Sequence, residues 1–118
     1  MSETENIAKM IHEYRELLVE RSNYRDKPDI ANKLWDRNHA LYKRLRESEE
    51  GRAAISKLLD DEYIPVRLTA ATHCLVWDTA RATCVLEDLE TLNDKTLYGF
   101  TAKYVLIEFR NGTLDLDW

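Results

Sequence analysis

The fold is decided by residues 58–77, which read LLDDEYIPVRLTAATHCLVW. The first residues of this stretch end one apolar helical face, and an acidic run then interrupts it. Pro65 suits the first turn of a new helix, where its missing N–H is not needed. From Val66 to Trp77 the apolar residues fall on almost every side of that new helix. Because such a helix must be covered by several neighbours, the stretch predicts a layered, all-helical protein.

The remaining chain supplies helical neighbours, because apolar residues recur at helical spacing in five further segments. The predicted helices span residues 4–25, 29–48, 52–60, 65–77, 79–92 and 96–110. Thr4, Asp29 and Asp78 are the expected N-caps, and Gly112 is the expected helix stop. Asn93-Asp94-Lys95 is the expected turn before the sixth helix.

The predicted architecture is all-α, with three antiparallel helix pairs in one domain, residues 1–118. A weak internal repeat of 32 residues places Ala102 on Ala70 and Phe109 on Trp77. That period is close to those of helical-repeat families, in which no pair buries its apolar face alone. An ordinary helical bundle is the competing architecture, but the all-round apolar fourth helix favours stacking.

The turn LLDDEYIPVR followed by paired alanines resembles the core of a HEAT repeat. The matching residues are Asp61, Val66, Arg67, Ala70 and Ala71. In that family the Asp and the Arg tend to link successive repeats, which implies the same role for Asp61 and Arg67. The chain departs from the family pattern at Glu62-Tyr63-Ile64, where prolines are usual, and at His73, where a small residue is usual.

Two further motifs extend the resemblance: AATHCL at residues 70–75 and EFRNGTLDLDW at residues 108–118. With them, residues 50–114 are similar to an uncharacterised bacterial family, domain of unknown function number two thousand and nineteen. The resemblance implies an alpha-alpha superhelix and brings no known activity with it.

The charges are unevenly placed along the chain, whose net charge is −5. Residues 1–50 carry 10 basic and 11 acidic side chains, whereas residues 51–118 carry 7 and 11. A protein that binds nucleic acid through phosphates needs a basic face, so this balance argues against nucleic acid as a partner. The acidic second half instead suits a basic protein partner.

Cysteine usage and hydropathy favour a cytoplasmic protein. Cys74 and Cys84 lie at apolar helical positions, where a cysteine behaves as a small hydrophobic residue, and they do not form a disulfide framework. The longest uncharged run, residues 68–77, is too short to span a membrane. The acidic, polar N-terminal residues SETEN do not have a signal-peptide pattern.

Nothing in the sequence predicts an enzyme, a metal or a cofactor. His12, His39 and His73 are scattered over three predicted helices, without the spacing of metal ligands. A glycine-rich phosphate loop, a nucleophile elbow and a Cys–His constellation are all missing from the sequence. The acidic run at residues 60–62 is interpreted as turn and helix-start chemistry rather than an acid–base cluster.

Two polar residues of the fourth helix have structural interpretations that are favoured over functional ones. His73 is expected to be packed and hydrogen-bonded, because buried polar groups find partners; a binding role is the alternative. Arg67 is expected to contact Asp61 or a neighbouring backbone carbonyl rather than to act in catalysis.

The favoured function is protein–protein recognition, through a groove lined by helices two, four and six or through the turn around Tyr63. An immunity-like protein that masks a toxin is one specific form of it. Most aromatic residues, Tyr104 among them, are core candidates, but Tyr63 and Trp118 are hard to place there and suit an interface. The candidate surface residues are Tyr63, Arg67, His73 and Trp118. A small-ligand site between the helices, using His73, Arg67 and aromatics, and a homodimer are the alternatives.

Overall fold

The computed structural model describes residues 2–92 and 97–118, and all regular structure within them is helical. The α-helices are α1 (Glu3–Arg21), α2 (Pro28–Leu45), α3 (Glu49–Lys57), α4 (Ile64–Cys74), α5 (Thr79–Glu90) and α6 (Tyr98–Asn111). Single 3₁₀ turns follow α1 at Ser22–Tyr24 and α3 at Leu58–Asp60. The all-α prediction is confirmed for these residues. The turn predicted at Asn93-Asp94-Lys95 and the helix start predicted near Thr96 lie outside the described residues.

The chain divides into two compact units, Met1–Lys57 (unit 1) and Leu58–Trp118 (unit 2). In unit 1, α1 packs against α2 and α3, and α2 also packs against α3. In unit 2, α5 packs against α4 and α6, and α4 also contacts α6. The single domain over residues 1–118 remains a prediction.

The core of unit 1 combines aliphatic and aromatic side chains from its three helices. Its buried apolar residues are Ile7, Tyr14, Leu17, Leu18, Ala31, Leu34, Leu41, Tyr42, Leu45 and Ile55. Asn38 is buried among them, and its Nδ2 donates a hydrogen bond to the backbone oxygen of Tyr14 at 3.0 Å. This bond joins α1 to α2, and it satisfies a donor whose burial would otherwise be costly.

The first two helices begin at residues other than the predicted caps. Ser2, and not Thr4, caps α1, and its Oγ accepts a hydrogen bond from the Glu5 N–H at 3.2 Å. Pro28 lies in the first turn of α2, so that helix begins before Asp29, which was the predicted cap. The fixed φ of proline is preorganised for a helix start, which explains why the helix begins there.

Two of the later helix ends agree with the sequence. Asp78 is the N-cap residue of α5, although its side chain makes no capping hydrogen bond. Gly112 follows α6 with a φ of 72°, in the left-handed region that glycine adopts without steric cost. The fourth helix, however, ends at Cys74 and not at Trp77.

Each unit contains a close backbone contact that depends on a glycine. Gly51 falls in the gap between the predicted helices 29–48 and 52–60, but in the structure it is buried in the first turn of α3, where a Cβ would lie 1.9 Å from the Leu45 backbone oxygen. Gly99 lies in the first turn of α6, where a Cβ would meet the backbone oxygens of Leu89 and Leu92 at 2.9 and 3.1 Å. In both units the third helix therefore begins against the end of the second.

Candidate functional site

The predicted site residues Tyr63 and Arg67 lie at the start of α4, and both form hydrogen bonds with the turn before it. The Tyr63 N–H donates to Asp61 Oδ1 at 2.9 Å. Arg67 Nη1 donates to the backbone oxygens of Asp61 and Glu62 at 2.9 and 3.3 Å. The prediction that Arg67 contacts a nearby backbone carbonyl is confirmed, and this contact holds the turn closed. The Tyr63 side chain is exposed at the start of α4.

His73 lies in the interior of unit 2. Its exposed fraction is 1%, and it is surrounded on α4 by other buried residues, including Val66, Ala70 and Cys74. The prediction of a packed histidine is confirmed. Because its side chain is covered, His73 contributes almost nothing to the molecular surface. Tyr63 and Trp118, by contrast, are exposed.

Trp118 belongs to a C-terminal segment, residues 113–118, without regular secondary structure. Within that segment the Asp117 N–H donates to Asp115 Oδ1 at 2.9 Å. The Trp118 side chain is exposed. Of the four candidate surface residues, the local structure thus joins Tyr63 and Arg67 in one turn, while His73 lies in the core.

Among the described helices, α6 exposes the most large apolar side chains. Gly99, Ala102 and Leu106 of this helix are buried. Its other face carries Phe100, Tyr104 and Ile107, whose exposed fractions are 58%, 49% and 39%, and the N-cap residue Leu97, just before the helix, is 68% exposed. These four residues are called the apolar stripe below. The expectation that Tyr104 lies in the core is wrong, because the inward face of α6 is occupied by smaller residues.

The two aromatic rings of the apolar stripe contact each other. The centroids of Phe100 and Tyr104 lie 4.6 Å apart in an edge-to-face arrangement, which is favourable for aromatic pairs. The pair therefore presents an ordered aromatic surface rather than two independent side chains.

Charged residues border the apolar stripe on both edges. Lys103 and Arg110 lie along one edge, and Thr101 and Glu108 lie along the other, by their positions on the helix. Arg110 Nη2 lies 3.7 Å from Glu87 Oε2 of α5, and both side chains are exposed. An apolar centre with a polar border is the usual anatomy of a protein interface.

The apolar stripe was not identified from the sequence, although its signal is present there. The apolar residues of α6 occur at two sets of helical positions, and the set with Phe100 and Tyr104 has the bulkier side chains. The usual assumption places the bulkier set inside. Gly99 helps to explain the opposite result, because a residue without a Cβ lets its own face of α6 approach the backbone oxygens of Leu89 and Leu92 closely.

Cys84 also differs from expectation. Its side chain is exposed on α5, whereas Cys74 is buried, and neither forms a disulfide.

In the described part of the chain, three or more His, Cys, Asp or Glu side chains are nowhere grouped as a metal site would require. None of the helices formed by the described residues combines the length and the apolar character needed to cross a membrane.

Comparison with known proteins gives no relative for this chain: no family model, curated protein or solved structure matches it. The resemblance to HEAT repeats and to the uncharacterised bacterial family therefore stays a prediction.

Proposed function

We propose that this protein is a protein-recognition module whose binding surface is the apolar stripe of α6 and whose partner supplies an amphipathic helix. The observation that carries the proposal is the exposure of Phe100, Tyr104 and Ile107 on one face of α6, with Leu97 exposed at its N-cap. Covering apolar surface is favourable by about 25 cal/mol per Å², and continuous exposed apolar patches mark interaction sites.

The stripe has the preorganisation that helix-to-helix recognition requires. Gly99, Ala102 and Leu106 anchor the opposite face of α6 in unit 2. A partner therefore meets a helix that is already formed, and little conformational entropy is lost on binding. An apolar helix face that docks against another helix is a common recognition mode.

The narrower predictions from the sequence remain proposals in their own right and do not depend on the apolar stripe. They are a basic protein partner, a toxin-masking role and a cytoplasmic location. The acidic excess of unit 2, with 11 acidic and 5 basic residues, supports a basic partner by long-range attraction. The superhelical stack of three helix pairs also remains proposed, and the contact between α4 and α6 supports it.

The proposal is tested by photo-cross-linking in the cells that produce the protein. A photoreactive amino acid replaces Thr101, which is exposed beside the apolar stripe, and in a control protein it replaces Glu90, exposed on α5. We expect a discrete protein adduct from position 101 that disappears when Phe100→Asp and Tyr104→Asp are added. The purified components should then bind in vitro. Equal adducts from both positions, or adducts unaffected by the aspartates, would contradict the proposal.

A further inference from the structure

We propose that the partner helix is α6 of a second copy of this chain, and that the two α6 helices run parallel. The inference rests on the proposed function, because it names the partner of the same apolar stripe. Its support comes from the spacing of the stripe and from the charges on its two edges.

The apolar stripe has the spacing of a coiled-coil seam. Leu97 and Tyr104 are seven residues apart, as are Phe100 and Ile107, and the two sets alternate at intervals of three and four. This is the a and d pattern over which two helices pack side by side. When both partners present the same stripe, the contact is closed by a two-fold axis and leaves no second stripe exposed.

The charges beside the stripe complement those of a second, parallel copy. With Tyr104 at an a position, Lys103 and Arg110 occupy g positions, and Thr101 and Glu108 occupy e positions. In a parallel pair a g residue faces the e residue five places further along the other helix. Lys103 therefore faces Glu108 of the second copy, and the symmetry produces this ion pair twice.

The opposite orientation is disfavoured by the same residues. In an antiparallel pair, g residues face g residues, so the basic edges formed by Lys103 and Arg110 would be brought together. Like charges across such an interface are unfavourable. The parallel arrangement instead joins the basic edge of each helix to the acidic edge of the other.

A copy of this chain suits the stripe better than a basic protein does. Within α6 the charged residues are Lys103, Glu108 and Arg110, so the acidic excess of unit 2 lies on its other segments. A basic partner would meet Lys103 and Arg110 beside the stripe, of which Arg110 is paired with Glu87 of α5. A second copy instead places Glu108 opposite Lys103. Charges farther away are weakened by salt, because the Debye length is about 8 Å at physiological ionic strength.

The stripe is short, so the expected dimer is weak. It covers about one and a half heptads, and the area buried should fall at the lower end of specific interfaces, below about 1,200 Å². We therefore expect reversible association in the micromolar range.

Sedimentation equilibrium of the full chain over about 1–300 μM, a range around that expected affinity, tests whether the dimer exists and which face forms it. We expect concentration-dependent dimers, which Tyr104→Asp converts to monomers. Val76→Asp, at an exposed apolar residue outside the stripe, should leave dimers intact, and circular dichroism should show unchanged helix content in both variants. A monomeric wild-type chain, or dimers that persist in Tyr104→Asp, would overturn the inference. An adduct from position 101 with a different protein would then still uphold the proposed function.

A charge exchange tests the predicted ion pair. Lys103→Glu and Glu108→Lys should each weaken self-association about tenfold, because each places like charges opposite one another twice. When the two variants are mixed, every facing pair becomes Glu with Lys, so association should return to the wild-type level. Failure of the mixture to associate more strongly than either variant alone would rule out this pairing.

A cysteine at the end of the stripe tests the orientation. In a Cys84→Ser background, which removes the exposed native thiol, Ile107→Cys should form a disulfide with the same residue of the second copy under mild oxidation. Glu90→Cys, exposed on α5, is the control and should stay largely reduced. Cross-linking of Ile107→Cys to a Leu97→Cys chain, but not to itself, would establish the antiparallel arrangement and overturn the proposal.

Discussion

The two units of this protein differ in how many large apolar side chains they expose. Among the described residues of unit 1, Ile30 is the one large apolar side chain that is exposed, and Tyr14 and Tyr42 are buried. In unit 2 the exposed large apolar residues are Tyr63, Val76, Leu92, Leu97, Phe100, Tyr104, Ile107 and Trp118. Both units are helical, so the contrast lies in their surfaces. Unit 2 exposes more large apolar side chains than unit 1 does, which supports the proposed interface on α6.

Charged side chains help to cover the aromatic residues of unit 1. The Arg21 guanidinium lies over the Trp35 ring at 4.7 Å, and that of Arg46 lies over the Tyr42 ring at 5.0 Å. Arg46 also donates a hydrogen bond to the Tyr42 hydroxyl at 3.0 Å. Such cation–π contacts stabilise the aromatic side chain and shield part of it from water. The Phe100 and Tyr104 rings of unit 2 instead contact each other at the surface.

The largest expected effect compares a buried tyrosine with an exposed one. Tyr14→Ala in α1 should lower the free energy of unfolding of unit 1 by about 3–5 kcal/mol, because it leaves a large cavity. Tyr104→Ala in α6 should lower the free energy of unfolding of unit 2 by less than about 1 kcal/mol, as is usual for exposed positions. Amide hydrogen exchange, read separately for the helices of each unit, measures both. Comparable losses for the two variants would mean that Tyr104 is part of the core.

An intermediate effect compares the two glycine contacts. Gly51→Ala should lower the free energy of unfolding by about 3 kcal/mol, because the added Cβ overlaps a backbone oxygen that cannot rotate away. Gly99→Ala should cost about 1 kcal/mol, because its overlap is smaller and alanine favours the helix. Urea denaturation measures both values. A stabilised Gly51→Ala variant would show that α3 does not begin against the end of α2 as described.

The smallest effect compares two arginines of unit 2. Arg67→Met should lower the free energy of unfolding by about 1 kcal/mol, because it removes hydrogen bonds to two backbone carbonyls of the turn. Arg81→Met is the control, since Arg81 forms exposed ion pairs with Asp78 and Asp60 at 3.2 and 3.5 Å. Loss of these two ion pairs should lower the free energy of unfolding by less than about 0.5 kcal/mol. Thermal unfolding distinguishes the two, and an equal effect would mean that Arg67 does not hold the turn.

Much of the secondary structure could be predicted from the sequence because its signals are local. The apolar periodicity located the helices, and Asp78 and Gly112 marked two of their ends correctly. Errors arose where local signals compete, as at Pro28, which begins a helix before the predicted cap Asp29. Gly51 was assigned to a break between helices, because a glycine in a sequence does not show whether it permits a turn or a close contact.

The candidate site shows the same division between local and tertiary information. The contact of Arg67 with the turn could be predicted because its partners lie only five and six positions away in the sequence. The packing of His73 could be predicted because the fourth helix is apolar on almost every side. The apolar stripe could not be predicted from the sequence, because the side of α6 that faces inward depends on how closely α5 approaches it.

By itself, the sequence determined the helical class, most helix positions and the largely buried fourth helix, since these depend on hydrophobic periodicity and on preferences of neighbouring residues. Only the tertiary structure decided which face of each helix is covered. On α6, the close backbone contact at Gly99 admits Ala102 and Leu106 and leaves Phe100 and Tyr104 outside. The physical reason is that the distance between two helices is set by the smallest residues at their contact, and a one-dimensional pattern does not contain that distance.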